Sequence, residues 1–486
     1  MSGLPQQFRR VVESLKSGHY RQAREAMQAA ATMGPGAPGE LVELAQRLLY
    51  FNLAGSLRDV ATRLLGRPLW HAAAESDFAA LLSMAGEQDM ASQLLDRAIG
   101  AGVADPGQLY NRSQMHLYAG RFAEAEADLR RCLALSPGMA KAHWALSKLP
   151  SALADPAELA TLRALAASVP EATQDQAFLR FALFNRLDRS RQDDEAAWQE
   201  LAAGCRAKRA LVRYDAAATQ RLFDALESLP GPQASAAGGA QGLTPIFVVG
   251  MHRSGTTLLE RILGNHSEVA EGGELYDFPA QLRLAVGRHF SGPVDAAVAE
   301  AATQIDFGQV GRGYLEQVNW RAAGRPFLVD KLPSNFLNAG FIQRALPGAR
   351  IIHMRRGAMD TCYSNLKELF SNACAYSYDQ GELADYYAGY LRLMAHWHRQ
   401  APGTILDVSY EALAGDPQAE ATRILEFCGL PWQDACLDVA SPRGAVNTAS
   451  SAQVREPIHQ RNIAAWQRHA AHLAPLAARL REHGVE

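Results

Sequence analysis

A stretch that begins at Pro245 most constrains how this chain can fold. Residues 245–263 read PIFVVGMHRSGTTLLERIL. The apolar, β-branched run ends at Gly250 and a segment of helical periodicity begins at Thr256, so the stretch predicts a strand, a tight loop and a helix. Consecutive backbone N–H groups in such a loop, with a helix N-terminus behind them, form a cradle for an anion. We therefore expect a phosphate-like group to bind here.

The loop departs from the pattern of nucleoside-triphosphate-binding loops. Gly250 and Gly255 have the spacing of G-x-x-x-x-G-K-[ST], but Thr256 stands where that pattern has lysine, and Thr257 takes the hydroxyl position. Nucleotide hydrolases and kinases use that lysine on the β- and γ-phosphates. The nearby cation here is Arg253, so the loop favours an anion other than the γ-phosphate of a Mg-nucleotide. A kinase remains the alternative hypothesis.

Composition and charge narrow the class of protein. The 486 residues are 48% apolar and 20% charged, as is typical of soluble globular proteins. The net charge of −3 provides no basic field for nucleic acid. No window approaches the length of a membrane span. The six cysteines lack metal-binding spacing and the first residues lack an apolar leader, which predicts a cytoplasmic protein without a metal site.

Residues 1–230 have helical periodicity throughout and show a repeat. Gly86 and Gly120 are 34 residues apart (120 − 86 = 34), and Gly18 lies twice that distance before Gly86. The segment 117–137, LYAGRFAEAEADLRRCLALSP, resembles the tetratricopeptide repeat, a 34-residue pair of helices. In the second copy Gly55 stands out of register, and the register fades after Pro156. The resemblance implies a concave surface for a protein partner, or a helical shell that only packs on the next domain.

A linker rich in Pro, Gly and Ala at 231–243 separates this domain from an α/β domain at 244–486. Beyond the first strand, strands are predicted at 326–330, 349–354 and 404–408, each followed by a helical pattern. The alternation predicts a parallel sheet with helices on both faces, a three-layer fold.

Polar residues follow the predicted strands, where the carboxyl ends of parallel strands meet. In chain order they are Glu271 and Glu274; Asp330 and Lys331; Arg355, Arg356 and Ser364; and Ser409, Tyr410 and Glu411. Together with Arg253 this edge collects four cations, which implies a small polyanionic ligand. No strand ends in a clear carboxylate for Mg²⁺, so ATP hydrolysis is disfavoured.

These motifs resemble the sulfotransferases that use 3′-phosphoadenosine 5′-phosphosulfate (PAPS), and within them the tyrosylprotein-sulfotransferase-like branch with its repeat-bearing bacterial versions. The resemblance covers roughly residues 244–470. Its motifs are Arg253–Thr257, Asp330-Lys331, Arg356 with Ser364 eight residues on, and Ser409-Tyr410-Glu411 leading to FCGLPW at 427–432. It implies metal-free transfer of a sulfuryl group to a hydroxyl of a peptide or protein, a carbohydrate or a small phenol.

The resemblance also implies roles for individual residues. Glu274 would be the catalytic base, Lys331 would stabilise the leaving oxygen, and Arg253 would act in both binding and catalysis. The expected cofactor-binding residues are Arg253, Ser254, Gly255, Thr256 and Thr257 at the 5′-phosphosulfate, Arg356 and Ser364 at the 3′-phosphate, Tyr410 near the adenine, and Arg455, with Ser450 or Ser451, closing over the cofactor.

Several alternatives stay open on the sequence. Glu271 competes with Glu274 as base, because relatives often have two adjacent acids where Gly273 and Glu274 stand. His252 and His266 are further candidates, since another branch of the family uses histidine. Arg355 duplicates Arg356, and only the spacing to Ser364 favours the latter. A repeat scaffold with an inactive domain is a third functional class beside the transferase and the kinase.

Overall fold

A computed structural model describes residues 3–102, 104–151, 155–231, 242–440 and 458–485. Within these ranges the chain forms an all-helical N-terminal region followed by an α/β domain with a five-stranded parallel sheet. The predicted fold class is confirmed. Most of the predicted linker lies outside the described residues, and the domain boundaries stay a prediction.

The helical region consists of antiparallel pairs of short helices. Its described helices are α1 (Leu4–Lys16), α2 (Tyr20–Ala30), α3 (Pro38–Tyr50), α4 (Ala54–Leu65), α5 (Ala72–Met84), α6 (Gln88–Gly100), α7 (Pro106–Tyr118), α8 (Phe122–Leu135), α9 (Ala140–Lys148), α10 (Pro156–Ser168), α11 (Gln174–Ser190), α12 (Asp194–Leu211) and α13 (Ala216–Glu227).

The helices keep a 34-residue period over most of this region. The odd-numbered helices α1 to α11 begin at residues 4, 38, 72, 106, 140 and 174, and the even-numbered helices α2 to α10 begin at 20, 54, 88, 122 and 156, so each start lies 34 beyond the previous one of its kind (38 − 4 = 34). The helix α12 at Asp194 is the first to depart. The period thus continues past Pro156, where the sequence pattern fades. Assignment to the tetratricopeptide family stays a prediction.

A left-handed residue ends the first helix of four successive pairs. Gly18 (φ +74°), Asn52 (φ +52°), Gly86 (φ +88°) and Gly120 (φ +77°) are spaced by 34. Asparagine is among the few residues other than glycine that adopt this conformation readily. Asn52 therefore takes the place of the glycine in the second copy, while Gly55 lies inside α4.

The α/β domain has strand order β2-β3-β1-β4-β5 with every pair parallel. Its strands are β1 (Thr244–Gly250), β2 (Val269–Glu271), β3 (Phe327–Asp330), β4 (Arg350–Arg355) and β5 (Ile405–Ser409), and its helices are α14 (Thr256–Gly264), α15 (Asp277–Val286), α16 (Ala296–Glu300), α17 (Phe307–Val318), α18 (Ala339–Ala345), α19 (Ala358–Leu366), α20 (Gln380–Gln400), α21 (Tyr410–Gly415), α22 (Pro417–Cys428) and α23 (Ala474–Glu482). The four predicted strands are observed to within one residue at most ends. The edge strand β2 was not predicted, since three residues are too few for a pattern.

The central strand β1 is buried from both sides. Ile246 and Val248 belong to one hydrophobic core, and Phe247 and Val249 belong to another on the opposite face. This alternation confirms the layered arrangement, because successive side chains of a strand point to opposite faces. The sheet therefore holds its carboxyl edge, where the loop after β1 begins, between two packed layers.

One hydrophobic core joins the helical region to the α/β domain. Phe223 of α13 packs on α20, where a Cβ on Gly389 would meet its ring at 2.7 Å, and its ring lies 5.5 Å from that of Tyr386. Phe181 of α11 meets Tyr378 edge to face at 6.5 Å. No helix among the described residues is long and apolar enough to cross a membrane.

We expect Asn52→Ala to be less stable than Asn52→Gly by about 1 kcal/mol, because an L side chain other than asparagine is strained at positive φ. Both variants lose the same side chain, so their difference reports on the backbone. Urea unfolding followed by circular dichroism measures it. At Ser17, where φ is −88°, the same two substitutions should not favour glycine. Equal stability of the two Asn52 variants would contradict the assignment.

Candidate active site

The loop after β1 has the predicted strand–loop–helix geometry. Gly250 (φ +151°) and Gly255 (φ +105°) adopt conformations that favour glycine, and Arg253 between them has φ +67°. A Cβ on Gly250 would lie 2.5 Å from the carbonyl oxygen of Met354, and one on Gly255 would lie 2.7 Å from the ring of Tyr410. Both glycines are therefore needed for the loop to approach β4 and α21. The helix α14 begins directly after the loop at Thr256, as expected.

Arg356 lies beside this loop. Its Nη1 donates to the carbonyl oxygen of Arg253 at 3.4 Å, and its guanidinium lies 4.9 Å from the centroid of the Tyr410 ring. Ser364 follows on α19 and is buried. The Nε of Arg356 and the Oγ of Ser254 are buried and have no hydrogen-bond partner among the described residues. Buried donors of this kind suit an oxyanion, since an unpaired buried polar group is costly.

The structure separates the two adjacent arginines. The Arg356 side chain is 8% exposed, whereas that of Arg355 is 54% exposed. Arg355 turns to the other side of β4, where its Nη1 lies 3.3 Å from Oδ2 of Asp407. His353 and His398 contact the same Asp407 carboxylate, each at 2.8 Å. Arg356 is thus the one that the fold brings to the loop.

Lys331, directly after β3, is fully buried between two carboxylates. Its Nζ donates to Oε1 of Glu274 at 2.7 Å and lies 3.7 Å from Oε2 of Glu260. Burial alone would lower the pKa of Lys331, but the charges of Glu274 and Glu260 raise it above its usual value. The ammonium therefore stays protonated at neutral pH. Glu274 is 35% exposed, so its carboxylate remains open to a ligand.

Glu260 is a site residue that the sequence analysis missed. It lies on α14, buried, and its Oε1 accepts a hydrogen bond from the N–H of Gly273 at 3.0 Å. Burial raises the pKa of Glu260 to about 7, although the charge of Lys331 opposes this. Thr256, Glu260 and Leu263 recur at helical spacing on the buried face of α14. Acidic residues are rarely buried, so an acid on the apolar face of the predicted helix could have identified Glu260 as a site residue.

The rival bases have other partners. Glu271 lies 3.3 Å from Nη1 of Arg261, which is itself buried. His266 bonds the carbonyl oxygen of Pro431 through Nε2 at 3.0 Å, and its Nδ1 accepts from the N–H of Glu268. His252 is close to the charges of the site, but burial lowers its pKa to about 4 and its Nδ1 lies 3.3 Å from the Tyr376 hydroxyl. Of the candidates named from the sequence, Glu274 is the one that pairs with Lys331.

A chain of charges connects the loop to the helical region. Nη1 of Arg253 lies 3.9 Å from Oε2 of Glu368, whose Oε1 accepts from Nζ of Lys148 on α9 at 2.8 Å. Glu368 was also missed, because its partner Lys148 lies 220 residues away in the chain and no local sequence pattern indicates the pair. The predicted residues Ser450, Ser451 and Arg455 lie outside the described residues.

Comparisons with known proteins find similarity to sulfotransferases. Residues 245–434 match the model of the sulfotransferase family. An uncharacterized protein of Aquifex aeolicus (strain VF5) is 34% identical over 245 residues, which are 49% of this chain and 32% of that protein, so this chain covers about a third of that relative. Protein-tyrosine sulfotransferase 2 of Gallus gallus is 25% identical over 256 residues, covering 48% of this chain and 68% of the relative.

A putative protein-tyrosine sulfotransferase of Caenorhabditis briggsae is 28% identical over 227 residues, 46% of this chain and 80% of its own. Among solved structures, the sulfotransferase domain of the Synechococcus PCC 7002 olefin synthase superposes with a TM-score of 0.33 and 20% identity, over 51% of this chain and 98% of that domain. The helices α1 to α13 lie outside the residues that the family model matches.

The buried Glu260 predicts a pH-dependent stability. Its pKa rises from 4.5 to about 7 on folding, so the folded state retains a proton that the unfolded chain has lost. The free energy of unfolding should fall between these two values as pH rises, by at most about 1.4 kcal/mol per pH unit. In Glu260→Gln this contribution should be absent. Urea unfolding at several pH values measures it.

Glu300→Gln, at an exposed site on α16, is the matched control and should keep the wild-type slope. A Glu260→Gln protein with the wild-type pH dependence would contradict the burial of an ionisable group at this position.

Proposed function

We propose that this chain, whose residues 245–434 form a sulfotransferase-family domain, transfers a sulfuryl group from PAPS to a hydroxyl of an acceptor. The observation that carries the proposal is the 2.7 Å pair of Lys331 and Glu274 at the carboxyl end of β3, beside the anion loop. One edge of the sheet thereby holds a base, a buried cation and an anion cradle. The acceptor that we propose is a phenolic hydroxyl, in a peptide tyrosine or a small phenol, with carbohydrate as the alternative.

The residues present fit the donor. The loop N–H groups with Arg253, Ser254, Gly255, Thr256 and Thr257 would hold the 5′-phosphosulfate, and Arg356 and Ser364 would hold the 3′-phosphate. The unpartnered buried donors Ser254 Oγ and Arg356 Nε support this assignment. Tyr410 would lie near the adenine, since its ring packs on Gly255. The role of Arg455 stays a prediction. When bound, the donor would supply the activated sulfuryl group.

Glu274 and Lys331 divide the chemistry between them. A carboxylate oxygen of Glu274 accepts the proton that the acceptor hydroxyl loses as its oxygen attacks sulfur. Lys331 would donate a hydrogen bond to the phosphate oxygen, which takes up the negative charge as its bond to sulfur breaks. An ammonium has three N–H donors; one is donated to Glu274 at 2.7 Å, and Glu260 lies 3.7 Å away as a charge partner. A remaining N–H donor can serve the leaving oxygen without breaking the pair with Glu274.

Two features oppose the kinase alternative. Thr256 replaces the lysine, and Asp330, at the end of β3, is a poor Mg²⁺ ligand. It is fully buried, its Oδ2 accepts from the Tyr314 hydroxyl at 3.0 Å, and burial raises its pKa well above the usual range, which favours a neutral carboxyl. The scaffold alternative is opposed by the complete set of Arg253, Glu274, Lys331, Arg356 and Ser364.

Binding of adenosine 3′,5′-bisphosphate without metal tests the cofactor site. We expect calorimetry to show micromolar binding to the wild type and a loss on the order of 2–4 kcal/mol in Arg356→Ala, because a desolvated arginine–phosphate contact is lost. Arg355→Ala is the matched control and should bind as the wild type does. Binding of Mg-ATP instead, or equal losses in both variants, would overturn the assignment.

Replacement of the base tests the chemistry. We expect Glu274→Gln to lower kcat by about 10²- to 10⁴-fold, because glutamine is isosteric but cannot accept the proton. Binding of adenosine 3′,5′-bisphosphate should persist. Glu271→Gln, the rival, should retain kcat within a few-fold. Transfer from ³⁵S-labelled PAPS to a phenolic acceptor measures both, and the opposite ranking would make Glu271 the base.

A further inference from the structure

The turns between the paired helices face the α/β domain as a row. In the second pair, Nε2 of Gln317 donates to the carbonyl oxygen of Asn52 at 2.7 Å. In the third, Nη2 of Arg321 donates to the carbonyl oxygen of Ala85 at 3.4 Å. Gln317 and Arg321 belong to α17 and the short 3-10 helix that follows it. The 34-residue period thus places successive turns against one segment of the other half.

The fourth turn follows α7, whose last residue is within electrostatic reach of Glu274. Tyr118 ends α7, two residues before the left-handed Gly120. Burial and then the negative charge of Glu274 raise the pKa of the Tyr118 phenol.

A cavity of about 820 Å³ lies between this row of turns and the α/β domain. The helical region lines it with Tyr50, Met84 and Gln88, and the α/β domain lines it with Glu274, Tyr276 and Arg283. Because Glu274 is part of its lining and is partly exposed, a molecule in the cavity can bring a hydroxyl to that carboxylate.

The cavity presents apolar and aromatic surface. Six large apolar side chains are exposed among the described residues, and three of them, Tyr50, Met84 and Tyr276, line this cavity. The Tyr50 ring is backed by His289, which stacks on it at 4.4 Å. Exposed apolar side chains gathered in one concavity mark a binding site rather than chance exposure.

The charged lining does not favour an anion. The acids are Glu271, Glu274, Asp277 and Glu260, the last partly protonated with its pKa of about 7, and the arginines are Arg261, Arg283 and Arg321. Arg261 is paired with Glu271, and Arg321 lies 3.5 Å from Glu87. The cations are thus largely compensated, and a ligand that adds negative charge near Glu274 would be repelled.

We propose that this cavity is the acceptor site, in which the helical repeats hold the aromatic body of an uncharged or cationic phenol against Tyr50 and Met84 while its hydroxyl meets Glu274. The proposal rests on the proposed function and extends it, since it makes the repeat region part of the acceptor site. The phenol can come from a small molecule or from a peptide tyrosine, and the two sources share this chemistry.

Steady-state transfer from labelled PAPS to defined phenols tests the proposal. The probes are 4-hydroxybenzamide and its anionic counterpart 4-hydroxybenzoate, with the neutral peptide acetyl-Ala-Tyr-Ala-amide as the peptide source. For the wild type we expect a KM at least about tenfold lower for the amide than for the benzoate. In Tyr50→Ala the KM for the neutral phenols should rise about tenfold, as expected for loss of an aromatic contact, with the KM for PAPS unchanged.

Matched variants separate the possible outcomes. Tyr50→Phe keeps the ring and should retain the wild-type KM, and Met84→Ala should raise it. Leu135→Ala removes an exposed apolar side chain of α8 that does not line the cavity and should change nothing. Turnover of the peptide but not of 4-hydroxybenzamide would assign the peptide source, and the reverse would assign the small phenol.

Three results would overturn the acceptor site if binding of adenosine 3′,5′-bisphosphate persists. They are a KM in Tyr50→Ala equal to that of the wild type, a preference for the benzoate, and transfer to none of the phenols. Absence of that binding in the wild type would instead overturn the proposed function, and the acceptor site with it.

Discussion

The structure depends on one buried cation, the Lys331 ammonium. A lone ammonium at full burial would lose its proton, so it needs carboxylates within reach. Glu274, from the loop after β2, and Glu260, from α14, both supply one. The same cation therefore fixes three segments against each other: the helix after the loop that follows β1, the loop that carries Glu274, and the end of β3. Glu260 also accepts a hydrogen bond from the N–H of Gly273, which fixes the backbone directly before Glu274.

The 34-residue period also determines how carbonyl groups near the helix ends obtain hydrogen-bond donors. The last carbonyl groups of a helix have no partner within it. Here the turn carbonyls of Asn52 and Ala85 accept from Gln317 and Arg321 of the other half. Because the period repeats the same orientation at each turn, a single segment, the end of α17 and the 3-10 helix after it, can donate hydrogen bonds to carbonyl groups at successive turns. The repeats thus contact the α/β domain through their turns. The concave surface that is expected to receive a partner protein would be a different surface of the array.

The sequence predicted those features that are local. The loop after β1 and four strands were recognised because each carries its own pattern, and the strand order placed Arg253, Lys331, Arg356 and Tyr410 at one edge as expected. Features set by tertiary contact were missed. The strand β2 is only three residues long, which is too short for a recognisable pattern. Asn52 stands at a repeat position where the other copies have glycine, so an alignment of glycines does not find it. Glu260 has the sequence context of an ordinary acidic residue on a helix. Arg355 and Arg356 are distinguished only by the direction in which β4 presents them.

The charge chain Lys148–Glu368–Arg253 has a consequence for how this protein can be divided. Glu368 lies nearer to Lys148, at 2.8 Å, than to Arg253, at 3.9 Å. If the N-terminal half were removed, the carboxylate would lose its Lys148 hydrogen bond, and of the cations that act on it Arg253 and Lys367 would remain, so it would compete with an anion for the Arg253 guanidinium. The region that matches the family model is therefore smaller than the set of residues whose charges balance one another. A truncated or chimeric protein must carry a substitute counterion for Glu368.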